Sequence, residues 1–527
     1  MSILIHNMWP LLFKIYDAAN MQRWNDQIRT VDLTELDKQA HKMVIAYVLG
    51  KSEENVGTEK LNWLEIIEAG IFEFLQRIVL TDLKPQLFHR IKEDKEKYEL
   101  LNQWVYKRTI PFIIPLGEDF CLRFKAYLME SKRSINRRVI SAAHFYATKW
   151  EFDVIERANP KGYSIEEIRK DINLKQEKYH DLKSMQILLQ TDNLKEFIDL
   201  CAQLRFQIRW SHLHMVPKIS VLGHMLIVAM FSYLFSLIAG VDNQRAVKNY
   251  FTGLFHDLPE VLTRDVISPV KRSVEGLTDL IKEYEREEME GKIYKLIPVQ
   301  WHDDMKMFTE DEFEDLMSPD DKKIERDGKL IKGADDLAAF LESQLSLKNG
   351  IQNKSLDKAG CFIREKYKSA IISGIDFGEL YEKFFNDKNE IKRIVFLCTG
   401  NSCRSQMAEG LMKYFGGERF EVFSAGSIPT EVNSFSIKVM KEIGVDISGQ
   451  KSNHLNDFLG NDFNYIIAVC DNSKEVCPVF PGDYNVVHWD LYDPALAEGT
   501  EEKRIEIFRE IRDKIKKNIL RFLGEID

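Results

Sequence analysis

The chain runs to 527 residues, with 73 Lys and Arg against 83 Asp and Glu, a formal charge of −10 and 44% apolar residues. That length accommodates two to four domains, and the acidic balance excludes a broad electrostatic grip on nucleic acid while leaving room for a local basic pocket. Seven cysteines are too few for a secreted disulfide framework, and four of them fall between Cys398 and Cys477. With no secretory signal pattern at the start, the expectation is redox chemistry in a reducing, cytoplasmic compartment.

From residue 1 to about 385 the pattern is one of long amphipathic helices with little strand-like alternation. Two stretches read as copies of each other. Arg23-Trp24 recurs as Arg209-Trp210, and His41 in an apolar helix pairs with His224 in another. Gly70-Ile71-Phe72-Glu73-Phe74 lines up with Gly253-Leu254-Phe255-His256-Asp257, with the same 32-residue separation from the preceding histidine in both copies. Ile140–His144 then faces Ile331–Asp335. Such a duplication implies two helical domains, 1–200 and 201–388. The uncharged run from Met225 to Val241 approaches membrane-spanning length. Its histidine, serines and isolation in the chain favour a buried central helix, with no membrane partner expected.

In the second copy His224, His256, Asp257 and Asp335 are two imidazoles and two carboxylates on helices. An Asp beside Leu254, Phe255 and Leu258 is costly unless paired or metal-bound, and mixed N/O donors suit Mn, Fe, Co, Ni or Zn. Residues 205–345 resemble the HD-domain metal-dependent phosphohydrolases, in their 5′-deoxynucleotidase-like branch. The resemblance is carried by Arg209-Trp210, His224, His256–Asp265, Pro269-Val270-Lys271 and Lys332–Asp335. It implies a divalent transition metal on His224, His256, Asp257 and Asp335. It further implies Glu260 as acid/base, Arg209 on a substrate phosphate, Trp210 beside the sugar, nucleoside monophosphates as substrates, and a possible homodimer. The family has Glu-His where this chain has Gly223-His224, which bears on the substrate contacts there. In the first copy His-Asp has become Glu73-Phe74 and the last Asp has become His144. Two readings stand: a different metal site from His41, Glu73 and His144, or a decayed copy kept for packing or sensing.

A charged break at 385–391 separates these helices from alternating strands and helices. Ile394–Leu397, Glu421–Ser424, Tyr465–Val469 and Val486–His488 read as strands. Gln406–Phe415, Ser434–Ile443 and about 500–523 read as helices. This is a three-layer α/β domain with a parallel sheet, residues 391–527. Between its first strand and helix lies Cys398-Thr399-Gly400-Asn401-Ser402-Cys403-Arg404-Ser405. A loop at a helix N-terminus gathers amide N–H groups around a tetrahedral oxyanion. The same field favours the thiolate of Cys398, and Arg404 offers a planar fork to two oxygens.

This domain resembles the low-molecular-weight tyrosine phosphatases, and more specifically the thioredoxin-coupled arsenate reductases built on that fold. The resemblance rests on Cys398–Ser405, on Tyr492-Asp493-Pro494-Ala495, and on Cys470-Asp471-Asn472-Ser473-Lys474-Glu475-Val476-Cys477-Pro478. It implies attack of Cys398 on arsenate with Asp493 as the acid, then Cys470 on Cys398, then Cys477 on Cys470, with thioredoxin closing the cycle and no tightly bound cofactor. A phosphatase acting on phosphotyrosine or small phosphoesters is the alternative, for which Cys470 and Cys477 would be unnecessary. The N-terminal region could equally be a nucleotide- or metal-sensing module. Cys403, Asn401 and Ser405 read as loop-bracing residues, Glu409 as an exposed helical residue or part of a cation site, and Cys121, Cys201 and Cys361 as core residues.

Overall fold

The Thr34 hydroxyl accepts the amide of Asp37 at 3.1 Å, and this N-cap opens α1 (Glu35–Val56). Asn62 caps α2 (Trp63–Leu80) through the amides of Leu64 and Glu65, and Ser134 caps α3 (Ile135–Ala158). Ser220 caps α4 (Val221–Ile238) through Gly223 N, and Asp242 caps α5 (Asn243–Phe255). Helix α6 (Gly328–Lys348) follows Asp327. The computed structural model describes residues 8–56, 60–81, 83, 85–129, 134–264, 274–320, 323–387, 392–417, 420–458, 461, 463–469 and 484–526. Two units result, Met1–Phe384 and Phe385–Asp527. Among its described residues the first is helical apart from two short antiparallel ribbons.

Helix α4 is the one described helix long and apolar enough to cross a membrane, and 94% of it is buried within the unit. It packs against α1, α5 and α6, so its apolar circumference is satisfied by protein. The halves read as separate domains from the sequence therefore share one core and form one unit.

The duplication is visible in backbone detail. Isolated bridges join Gln22 to Thr34 and Ile208 to Ser220, and Trp24 and Trp210 both have φ of 54°. The indole of Trp24 donates to Glu151 at 2.9 Å, and that of Trp210 to Glu342 at 2.8 Å. A Cβ on Gly70 would meet Met43 Sδ at 2.4 Å, and one on Gly253 would meet Ala229 Cα at 2.8 Å, so α2 faces the Met43 side chain of α1 where α5 faces the Ala229 backbone of α4. These pairs set the register. It equates Thr34 with Ser220, Lys38 with His224, Met43 with Ala229, Glu73 with His256 and His144 with Asp335. The pairing of His41 with His224 is thereby corrected: His41 lies one helical turn further on, fully buried, with Arg205 Nη2 3.2 Å from its Nδ1.

In the second unit β1 (Lys392–Cys398), β2 (Phe420–Gly426), β3 (Tyr465–Ala468) and β4 (Asn485–His488) form an all-parallel sheet in the order β2-β1-β3-β4. Strand β1 is buried on both faces, as expected of a central parallel strand. Ile394 and Phe396 face a core shared with α7 (Arg404–Gly416), α8 (Ser434–Lys441) and α9 (Glu501–Ile526). Val395 and Leu397 face a smaller cluster with Leu455, Phe463 and Ile466. Ile505, Phe508, Ile511, Ile515, Ile519 and Phe522 make the buried stripe of α9, each worth roughly 1.5–3 kcal/mol when fully buried. Cys361 is exposed, contrary to its reading as a core residue. Its helix, Lys354–Tyr367, buries Leu356, Gly360, Ile363 and Tyr367, and Cys361 lies off that stripe.

Candidate active sites

In the first unit, α4, the end of α5 and α6 bring four side chains together. The Ser220 cap fixes the first turn of α4, and His224 follows one turn later, wholly inaccessible to solvent. His224 Nε2 lies 3.0 Å from Asp335 Oδ1 and 4.0 Å from Asp257 Oδ2. His256 Nε2 lies 3.2 Å from Asp257 Oδ2. One donor atom from each of His224, His256 and Asp257 falls within 4.8 Å of the others. Buried His256 Nε2 makes no hydrogen bond, while its Nδ1 faces Gly253 O at 2.9 Å. Two imidazoles and two carboxylates so placed fit a divalent transition cation. Burial raises the Asp257 carboxyl, but His256, His224 and Arg209 outweigh it and hold that group well below the usual carboxylate range. For Asp335 burial is again outweighed, by Lys332 at 2.6 Å and by its contacts with His224 and His256.

A cavity of about 230 Å³ opens beside these groups, and its wall includes Arg209, Glu260 and Lys332. Arg209 Nη1 stands 3.6 Å from Asp257 Oδ2. Trp210, expected beside a sugar, instead turns its indole N–H to Glu342 and is not part of that wall. Glu342 is the residue sequence reasoning missed. It is buried, 2.9 Å from His224 Nδ1 and 3.3 Å from Arg209 Nε. A proton held on Nδ1 by Glu342 leaves the Nε2 lone pair toward the other donors. Its signal was a Glu two helical turns after Asp335, directly following the apolar run Leu337–Leu341 and matched by Glu151 two turns after His144. Asp265 and Pro269-Val270-Lys271 lie outside the described residues.

In the second unit the Cys398–Ser405 loop closes between β1 and α7. Asn401 adopts φ of 43°, and its amide points at Cys398 Sγ at 3.2 Å. Ser405 Oγ lies 2.9 Å from the same sulfur. Asn401 Nδ2 donates to Ser405 at 2.9 Å and to Ser424 at 2.8 Å, so the expected bracing roles of Asn401 and Ser405 have a direct geometry. The loop carbonyls point outward. Thr399 O, Gly400 O and Ser402 O accept the amides of Ile428, Thr430 and Asn433, and Asn401 O accepts Ser452 Oγ at 2.7 Å. Turning carbonyls out leaves the amide edge for an anion.

Arg404 is held flat by Leu491 O at 2.7 Å and by Asp493 Oδ2 at 2.7 Å. Asp493 Oδ1 caps the turn Pro494–Leu496 through Ala495 N. Fork and carboxylate thus pair directly, with the fork on the same loop as the sulfur. Burial pushes the Cys403 thiol up to about 11, in keeping with a packing role. Glu409 is largely buried and pairs with Lys413. Cys470 and Cys477 lie outside the described residues.

Residues 393–527 match the low molecular weight phosphotyrosine protein phosphatase family, and residues 201–370 match the HD domain. An arsenate reductase of Halalkalibacterium halodurans is 47% identical over 131 residues, which span 25% of this chain and 94% of that protein. Through this unit the chain belongs to the arsenate reductase family. The arsenate reductase of Bacillus subtilis is 41% identical over 133 residues, again 25% of this chain and 96% of that protein. A solved arsenate reductase in a phosphate-binding state is 32% identical, covers 26% of this chain and 99% of that one, and has a TM-score of 0.24. The arsenate reductase unit holds Cys398, Arg404 and Asp493. The HD match spans Arg209, His224, His256, Asp257, Glu260, Asp335 and Glu342, and begins beyond the first copy.

Proposed function

We propose that the arsenate reductase unit converts arsenate to arsenite by a cysteine relay that thioredoxin regenerates, in the cytoplasm. We further propose that the HD region is a metal-dependent phosphohydrolase for nucleoside monophosphates. The observation carrying the first reading is the convergence of Cys398 Sγ, the inward amide edge, Arg404 and Asp493, followed in sequence by Cys470 and Cys477.

Arsenate enters the loop, where the amides and Arg404 match its charge. Cys398 Sγ attacks arsenic, and Asp493 gives a proton to the departing oxygen, which leaves as water. Cys470 thiolate then attacks Cys398 Sγ. The S–S bond forms as the S–As bond breaks, and the bonding pair stays on arsenic, which leaves as arsenite. Cys477 attacks Cys470, frees Cys398 and leaves a Cys470–Cys477 disulfide for a dithiol of thioredoxin to reduce. NADPH consumption with arsenate, thioredoxin and thioredoxin reductase tests this, and Cys398→Ser should abolish it. Phosphate ester hydrolysis without arsenate-dependent NADPH consumption would establish a phosphatase instead.

In the HD region a divalent cation on His224, His256, Asp257 and Asp335 would supply Lewis acidity toward a phosphoryl oxygen. Arg209, already in the cavity wall, would hold the substrate phosphate, and Glu260 would exchange a proton with the attacking water at its carboxylate. Trp210 acts in this scheme through Glu342 instead of through the sugar. Phosphate release from nucleoside monophosphates with Mn(II), lost in Asp257→Ala, is the expected result. No release with any of the five candidate metals would contradict the reading.

A further inference from the structure

The repeat leaves a question at the first-half positions equivalent to the metal ligands. His224 corresponds to Lys38, His256 to Glu73, Asp257 to Phe74 and Asp335 to His144. Lys38, Glu73 and His144 are in contact. Lys38 Nζ lies 2.7 Å from His144 Nδ1 and 3.8 Å from Glu73 Oε1, and His144 Nδ1 bonds Glu73 Oε1. Lys42 Nζ approaches Glu73 Oε2 at 3.4 Å from the next turn of α1. Both lysine side chains are wholly inaccessible.

The shell behind the site is preserved. Glu151 receives the Trp24 indole and the Arg23 guanidinium, just as Glu342 receives those of Trp210 and Arg209. What changed is the centre. In the second half two carboxylates and two imidazoles leave a doubly charged cation to be supplied. In the first half one carboxylate has become Phe74 and the other His144, and an ammonium arrives on a four-carbon stem from the helix that carries His224 in the other copy.

We propose that the ammonium of Lys38 occupies the metal's place in the first half, making it a metal-independent copy with a built-in cation, so that each chain takes up one metal and not two. The proposal rests on the metal reading of the second half. Its physical basis is charge. A divalent ion at this point would meet the two buried lysine nitrogens, Lys38 and Lys42, which draw their charge from Glu73 and Glu35 against the pull of burial. It would find Glu73 as its near carboxylate, with Phe74 where the other half has Asp257, and two like charges competing for one carboxylate repel. Lys38 instead lies against both Glu73 and His144 without any ion entering.

The test is metal content of the full-length protein after loading with Mn(II) and gel filtration, read by elemental analysis. Wild type should retain one metal per chain, and His256→Ala/Asp257→Ala should retain none. The variant Lys38→His/Glu73→His/Phe74→Asp/His144→Asp, which gives the first half the second half's donor set, should retain two if it folds by circular dichroism. Two metals in wild type would overturn the proposal. So would one metal persisting in His256→Ala/Asp257→Ala and disappearing when His144→Ala is added, a comparison that does not depend on the fourfold variant. Wild type with no metal at all would leave the first half metal-free as proposed while removing the metallohydrolase reading of the second.

Discussion

Glu342 and Ser405 act in the same way, each fixing the atom that does the chemistry. Glu342 accepts from the Trp210 indole and lies against His224 Nδ1, so Glu342→Gln keeps the volume and removes the charge that sets the imidazole's proton. Metal affinity should drop about 10–100-fold, measured by competition with a chelating dye. Melting of the metal-free protein should move little, and an unchanged affinity would show that His224 orients itself. Ser405 Oγ and the Asn401 amide both lie within hydrogen-bond distance of Cys398 Sγ. A hydrogen bond is worth about 0.5–1.5 kcal/mol, so Ser405→Ala should slow alkylation of Cys398 by iodoacetamide about two- to tenfold at pH 7. No slowing would mean that the hydroxyl does not set the reactivity of this sulfur. Neither contact was legible in sequence at this level. The Cys-to-Arg spacing gives the loop, but which side chain meets the sulfur depends on the left-handed turn at Asn401.

At the level of elements, the repeated helices are tied to one another. Ser220 caps α4 and also donates to Asp37 of α1, so one hydroxyl ties the ligand-bearing helix to its counterpart. Ser220→Ala should cost about 1–3 kcal/mol in urea denaturation, the sum of a lost cap and a buried carboxylate left short of a donor. A cost below about 0.5 kcal/mol would deny the link. Beside it, burial raises the Glu35 carboxyl, but Arg23, Lys38 and Arg77 outweigh burial and hold it well below its ordinary value. A carboxyl depressed in the folded state stabilises fully above its unfolded pKa, about 4.3. That contribution is lost as pH falls toward the folded value. Wild-type stability should therefore decline from about pH 5 downward more steeply than that of Glu35→Gln, by denaturant titration, and parallel curves would contradict this. The helices and the parallel strands were readable because period and apolar runs record burial. The register of the first copy was not, because an apolar helix such as Met43–Tyr47 carries no phase. An equal 32-residue spacing drew His41 opposite His224, whereas the bridges and the Trp24 and Trp210 turns put Lys38 there.

At the scale of the molecule, one chain joins an HD region to a unit of the arsenate reductase family. Both sites were legible because each concentrates costly groups, a His-Asp pair among apolar residues and a cysteine and arginine around a tight loop. The relay thiols Cys470 and Cys477 lie outside the described residues, and a relay through them is what separates a reductase from a phosphatase on this loop. The direct measurement is arsenite formed per chain by full-length Cys477→Ser, compared with wild type, in the presence of thioredoxin, thioredoxin reductase and NADPH. Wild type should turn over continuously and the variant should give a single equivalent of arsenite, with Cys398 left in a disulfide to Cys470. Continuous arsenite production by Cys477→Ser would contradict the relay.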